Sequence, residues 1–277
     1  TPTLAIVVER EEKINAFVSQ KYWEVHATVQ TASGSYEAIW FDPTFKKNET
    51  RPQDKAERIW QEDRAQSICA KLLHQQAQVH DSAKRTTQLS PLLFDLTSLQ
   101  REANNRFGFS AKTTLALAQA LYEKHKALTY PRTDARALPE DYIPTVHETL
   151  KMLSDSSIYS GSVKEILSHQ WVKPTKRIFD NSKISDHFAI IPTLQAPKKL
   201  TEAEEKIYDL VVKRFLSVFF PAAEYDVTTR ITEVEGEKLK TEGKVLVKAG
   251  WLSVYGRDVQ EAETLPAVAE NEKVFIE

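Results

Sequence analysis

Trp23-Glu24-Val25-His26-Ala27-Thr28-Val29-Gln30, followed by Ala32-Ser33-Gly34-Ser35 and then Tyr36 to Phe41, is the stretch that decides how the chain is organised. Trp23, Val25, Ala27 and Val29 alternate with polar residues, the period of two of a half-buried strand. The small, polar tetrapeptide supplies a turn, and Tyr36–Phe41 reads as the returning strand. A polar strand is expected near Gln76–Thr87. Alternation then disappears until Tyr225–Ile231, Val245–Val247 and Trp251–Tyr255, close to the other end of the chain.

Between these stretches the period is helical. Leu92–Phe109 and Ser110–His125 read as two helices broken at Phe107-Gly108-Phe109. Further helices are expected near 139–153, 161–169 and 201–219, the last opened by Thr201 with Glu204 three residues on, a capping box. Thr1-Pro2 starts a helix to about residue 16, and Pro52 opens another carrying Ala56, Ile59, Trp60, Ile68, Leu72 and Leu73. The order strands, helices, strands gives an α+β, multi-domain reading. A helix over 1–20 leads into a β-rich domain built from 21–91 and 219–277, and a mainly α-helical domain, 92–218, is inserted into it.

Composition narrows the function. The 277 residues hold 37 Lys+Arg and 39 Asp+Glu, a net charge of −2 that argues against strong nonspecific binding to polyanions. Hydrophobic residues make up 41% and charged residues 27%, a folded composition. No apolar run reaches the roughly 18 residues of a membrane span. One cysteine, Cys69, permits neither an internal disulfide nor a cysteine-clamped zinc site. The seven glycines are too scattered to build G-x-G-x-x-G or a P-loop, which excludes a Rossmann dinucleotide site and a Walker-type ATPase. The chain opens at Thr1, so either an initiator was removed or this is part of something longer.

Three constellations could carry chemistry. In Leu128-Thr129-Tyr130-Pro131-Arg132-Thr133-Asp134, the proline pushes Tyr130 towards an extended conformation. Arg132, two residues on, can then reach the same side. A guanidinium there favours the phenolate and neutralises a phosphate under attack, with Thr133 and Asp134 positioning the arginine. The other reading is a loop tyrosine packed on a proline beside a surface Arg–Asp pair. In Ser185-Asp186-His187-Phe188-Ala189-Ile190-Ile191-Pro192-Thr193, His187 reads either as a phosphate-contacting imidazole or as an exposed side chain next to a buried Ile190-Ile191. From Lys164 to Lys199, seven basic residues, among them Lys176, Arg177 and Lys183, face three acidic ones, with Trp171 and Phe179 interleaved. That mixture suits single-stranded nucleic acid, and it equally suits a solvated loop.

Pro91–Ala111, Ala118-Gln119-Ala120-Leu121-Tyr122-Glu123, Leu128–Asp134 and Asp186–Thr193, in that order, resemble the active-site region of type IA DNA topoisomerases. Pro131 after the tyrosine and Ile191 before Pro192 are more like the topoisomerase III branch than the topoisomerase I branch. Thr1–Arg10 resembles the stretch where such enzymes leave their gate domain. The resemblance implies that Tyr130 attacks a DNA phosphodiester and holds the 5′ phosphate, with Arg132 stabilising tyrosine and phosphate. By the same resemblance His187 contacts DNA near the cleavage site. Thr133 and Asp134, from their place beside Arg132, and Lys176, Arg177 and Lys183, from the basic excess of 164–199, are the further expected DNA contacts. It implies relaxation or decatenation without ATP in a bacterial cytoplasm, associated with the nucleoid, with Mg²⁺ as cofactor and a helicase as a partner. Ala135 and Phe188 depart from residues the family often has there. No D-x-D motif occurs, so the magnesium-binding Toprim domain is expected outside this chain, as is the remainder of the gate domain. The chain is then the arch with the tyrosine-bearing domain, expected to bind single-stranded DNA weakly and not to cleave it alone. Alternatives are the topoisomerase I branch, a reverse gyrase, or a non-catalytic single-strand-binding module.

Overall fold

In the computed structural model, which describes residues 2–51, 53–256, 265–269 and 272–277, the alternating stretch forms a hairpin. It pairs β1 (His26–Thr31) antiparallel with β2 (Gly34–Trp40), from His26 opposite Ile39 to Thr31 opposite Gly34. Ala27, Val29, Tyr36, Ala38 and Trp40 fall on one face and are buried there. Further strands are β3 (Gln76–Gln88), β4 (Ala223–Val234), β5 (Glu237–Lys248) and β6 (Val274–Ile276). Together the six close into a barrel in the order β1-β2-β5-β4-β3-β6, so that no strand is left as an open edge.

The chain divides into two compact units: Thr1–Lys84 with Val227–Lys244 and Glu263–Glu277, and Arg85–Asp226 with Val245–Ala262. In the first, α2 (Glu62–Leu72) turns Ala65, Ile68 and Leu72 into the barrel core and leaves Cys69 exposed. Among the described residues of that unit, one charged side chain is buried. Arg230 on β4, 3% exposed, holds both oxygens of Asp81 at 2.8 and 2.7 Å and lies 4.7 Å from the Tyr36 ring. α1 (Pro2–Asn15) buries none of its residues; Leu4, Ile6, Val7 and Val8 are all exposed.

The second unit is helical. It contains α3 (Leu96–Phe107), α4 (Ala111–Glu123), α5 (Ile143–Leu153), α6 (Ser160–Ser168) and α7 (Glu202–Ser217). Local signals set the helix ends. Asp95 caps α3 through the amide of Ser98, Gly108 ends it at φ +70°, and Ser110 caps α4 through the amide of Thr113. α7 is the central element, burying ten residues from Glu204 to Ser217. Its Arg214 stacks 4.0 Å from the Phe94 ring and donates to the Leu92 carbonyl at 3.0 Å, which anchors the segment before α3.

Two elements differ from expectation. Residues 56–60 are not helical: Ile59 and Trp23 exchange backbone hydrogen bonds at 2.8 and 2.9 Å, and the helix starts only at Glu62. Pro52 itself lies outside the described residues. Trp251–Tyr255 is a 3-10 turn, Gly250–Tyr255, and not a strand. Gly250 adopts φ +51° and the Trp251 amide bonds to the Pro221 carbonyl, so the apolar spacing there serves packing rather than a ladder.

Two stability measurements follow. At Gly250 a β-carbon would lie 2.4 Å from the Ala222 carbonyl oxygen, whereas at Gly108 it meets open space. Gly250→Ala should cost on the order of 3 kcal/mol in urea denaturation and Gly108→Ala about 1 kcal/mol. Glu204, paired with buried His125 at 3.2 Å, is held below the usual carboxylate value, first by the Thr201 amide, then by the Thr201 hydroxyl and His125. A carboxylate depressed in the fold stabilises above its unfolded value and loses that contribution as pH falls through the folded one. Between roughly pH 5 and 3 the unmodified chain should therefore lose more stability than Glu204→Gln, read by thermal melting.

Candidate active site

Tyr130 lies on an irregular segment that cannot satisfy its own backbone, and a second irregular segment does so instead. The Thr129 amide donates to the Ile191 carbonyl at 3.0 Å. The Thr129 hydroxyl donates to the Ala189 carbonyl at 3.0 Å and accepts from the Ile191 amide at 2.9 Å. On one side, Thr193 bonds through its amide to the Ala127 carbonyl (3.0 Å) and through its hydroxyl to the Lys126 carbonyl (2.5 Å). On the other, the Thr133 hydroxyl donates to the His187 carbonyl at 3.2 Å, and the Ala189 amide bonds to Ala137 at 3.0 Å. A third segment completes the frame, with the Leu96 amide on Thr133 at 3.0 Å and the Ile190 amide on Phe94 at 2.8 Å.

This frame brings together two of the side chains singled out in the sequence. The His187 ring stands 4.4 Å from the Tyr130 ring, centre to centre. Tyr130 is half-buried, while Arg132, Asp134 and His187 are exposed. The sequence suggested Thr133 and Asp134 as supports for Arg132; the structure differs. Thr133 is buried and spends its hydroxyl on backbone, accepting from the Ala135 amide at 3.0 Å. The group that reaches the guanidinium is Gln119 of α4, whose Oε1 accepts from Arg132 at 3.3 Å.

α4 therefore supplies residues that the sequence placed in an ordered motif, Ala118–Glu123, without giving any of them a role. Gln119 also donates to Glu123 at 2.8 Å, which holds its amide. One turn along, Tyr122 meets Tyr130 edge to face at 5.4 Å, and Lys126 sits 5.8 Å from the Tyr122 ring. The helical spacing 119, 122, 123 was the available signal, since it places these three on one face of α4, whereas Lys126 lies beyond the end of the helix at φ +53°. Beside them an open cleft of about 750 Å³ is lined by Lys124, His125, Gln195, Ala196, Lys198 and Lys199.

The basic residues 176, 177 and 183 engage elsewhere. Lys176 pairs with Glu140 at 2.6 Å, which raises the lysine and lowers the carboxyl. Lys183 bonds to the Lys176 carbonyl at 2.9 Å and to Asp180 at 2.9 Å. Asp180 is pulled down to about 2, by the Ser182 hydroxyl first and then by Lys183. Arg177 is half-buried on the Ser90 carbonyl, and burial together with Arg136 lowers its pKa. Among the described residues no cluster of three His, Cys, Asp or Glu side chains could hold a metal ion. No helix among them is long and apolar enough to cross a membrane.

A family model described as DNA topoisomerase matches residues 1–277. The chain is 37% identical to DNA topoisomerase 3 of Bacillus subtilis over 285 aligned residues, covering 100% of the chain and 37% of that protein. It is 40% identical to DNA topoisomerase 3 of Shouchella clausii over 279 residues, covering 99% of the chain and 36% of that protein. Topoisomerase I of Thermotoga maritima has a similar fold: TM-score 0.62 at 21% identity, over 99% of this chain and 43% of that one. The chain belongs to the type IA DNA topoisomerase family. It spans little more than a third of the length of the two topoisomerase 3 relatives.

The frame around Tyr130 can be tested by itself. Thr129→Val keeps the shape of the side chain and deletes both hydroxyl hydrogen bonds, and should cost about 1–2 kcal/mol in urea denaturation. Thr129→Ser retains the hydroxyl and should cost clearly less.

Proposed function

We propose that this chain is the nucleophile-bearing part of a topoisomerase III-type enzyme that breaks and rejoins single-stranded DNA. The observation that carries the reading is the meeting of Tyr130 with the His187 ring, two residues from Arg132, in a chain matched along its whole length by topoisomerase 3 relatives. The Tyr130 oxygen attacks a phosphodiester, and the bond from phosphorus to the 3′ oxygen of the neighbouring sugar breaks. The 5′ phosphate stays on the tyrosine until that 3′ hydroxyl returns. Bond energy is conserved in the adduct, so no ATP is consumed.

Each neighbour has a task in this reading. Arg132 offsets charge on the phosphate, steadied by Gln119. Tyr122 and His187 flank the nucleophile's ring and restrict its approach, as an in-line displacement requires. His187 is exposed enough to meet DNA. The lysines around the 750 Å³ cleft beside α4 offer the strand's phosphates a path. Lys176, Arg177 and Lys183 are assigned to DNA only in so far as their present partners release them. The barrel unit is read as the arch, with the helical unit inserted in it. The described residues do not fit a Mg²⁺ site, so the ion is assigned to a Toprim domain elsewhere in the longer protein, as is any contact with a helicase.

Cleavage assays on the longer protein test this. Tyr130→Phe should abolish the covalent adduct and relaxation while DNA binding persists. Arg132→Lys keeps the charge and loses the planar fork, and should slow cleavage substantially, whereas Lys164→Ala should change only the salt dependence of binding. Ordinary relaxation by Tyr130→Phe would refute the assignment. The 277-residue chain alone, incubated with labelled single-stranded oligonucleotide and Mg²⁺, should bind weakly and yield no DNA-linked protein on denaturation.

A further inference from the structure

A cleft of about 630 Å³ opens in the helical unit, lined by the end of α5, the residues leading into α6, the first turns of α7 and residues 196–200. It shares no lining residue with the group around Tyr130, so the proposed chemistry leaves it without a task. Its floor is apolar, made of Phe107, Met152, Leu153, Tyr159, Leu200 and Tyr208. Ile158 stands at its mouth with 72% of its surface exposed. A concave, mainly apolar site with a few converging polar groups is the ordinary form of a binding site.

The rim sets the sign of what can enter. Asp155, Glu202, Glu205 and Asp209 line it against one cation, Lys206. Two of the carboxylates already have partners: Glu202 pairs with Lys206 at 2.6 Å, and Asp209 takes the Tyr159 hydroxyl at 3.1 Å and Lys213 at 2.8 Å. Asp155 and Glu205 are exposed, and their carboxylates make no hydrogen bond or ion pair among the described residues. Two uncompensated negative charges beside an apolar floor repel nucleic-acid phosphate and attract a cation attached to something greasy.

We propose that this cleft docks a segment of a partner protein in which a large apolar side chain is flanked by lysine or arginine. The apolar side chain enters against Met152, Tyr159 and Tyr208, and its basic neighbours meet Asp155 and Glu205. The proposal does not depend on the chemistry at Tyr130.

Fluorescence anisotropy with the 277-residue chain and three short labelled peptides tests it. The first peptide alternates Leu and Trp with Lys, the second replaces Lys by Glu, and the third replaces Leu and Trp by Ser. The first should bind saturably, about tenfold or more tighter than either of the others. The double reversal Asp155→Lys with Glu205→Lys should weaken it about tenfold, and Ile158→Ser should weaken it measurably without touching a charge. Glu11→Lys with Glu12→Lys changes the net charge equally on exposed α1 and should leave affinity unchanged. Equal weakening by the two double reversals, equal affinity for the serine–lysine peptide, or no saturable binding overturns the proposal. Sedimentation of the chain alone tests the competing occupant. Self-association that the Asp155/Glu205 reversal abolishes would put a second copy in the cleft and overturn it as well.

Discussion

The Thr129 hydroxyl gives one hydrogen bond and takes another, to Ala189 and from Ile191, and the candidate site hangs on that exchange. Neither segment it joins is a helix or a regular strand, so each must find partners for its backbone in the other. The arrangement extends outward in steps. Phe94 bonds to Ile190, Arg214 of α7 stacks on Phe94, and α7 is itself fixed by the buried residues along its length. A tyrosine on an otherwise unsupported loop is thereby given the setting of a packed core, half-buried between Tyr122 and His187.

Charge is distributed with the same economy. A net charge of −2 conceals local surpluses of both signs within one unit. Lys176, Arg177 and Lys183 are occupied by Glu140, Ser90 and Asp180, which leaves Lys198 and Lys199 among the cations without an ion pair among the described residues. The negative surplus collects instead around the apolar cleft at Tyr159. Lysine-lined and carboxylate-lined clefts thus stand on the same helical unit, and the irregular segment 195–200 lines both of them, Ala196 in common.

Much of this was legible in the sequence, for identifiable reasons. The period of two at 23–41 became β1 and β2, and the helical period at 92–125, with Gly108 at its break, became α3 and α4. Those signals are local, and local chemistry decided them. Trp251–Tyr255 misled because an apolar residue at every second or third position can pack from a 3-10 turn as well as from a strand. Ile59 misled because its partner, Trp23, lies too far away in sequence for periodicity to register. The same limit governs the site. Tyr130, Arg132 and His187 stood out through an ordered set of motifs, but Gln119 and Tyr122 acquire meaning only once α4 lies against the loop that follows it.

The bonds that frame Tyr130 also carry a timetable. Thr129 meets residues 60 and 62 positions away, with α5 and α6 lying between them in the chain. Closing so long a loop costs entropy that only the finished core returns, so these contacts belong to the late part of folding. A chain emerging from the ribosome displays its tyrosine well before Ile191 exists to hold it. The half-buried setting of Tyr130 between Tyr122 and His187 is in this way completed only when the helical unit is.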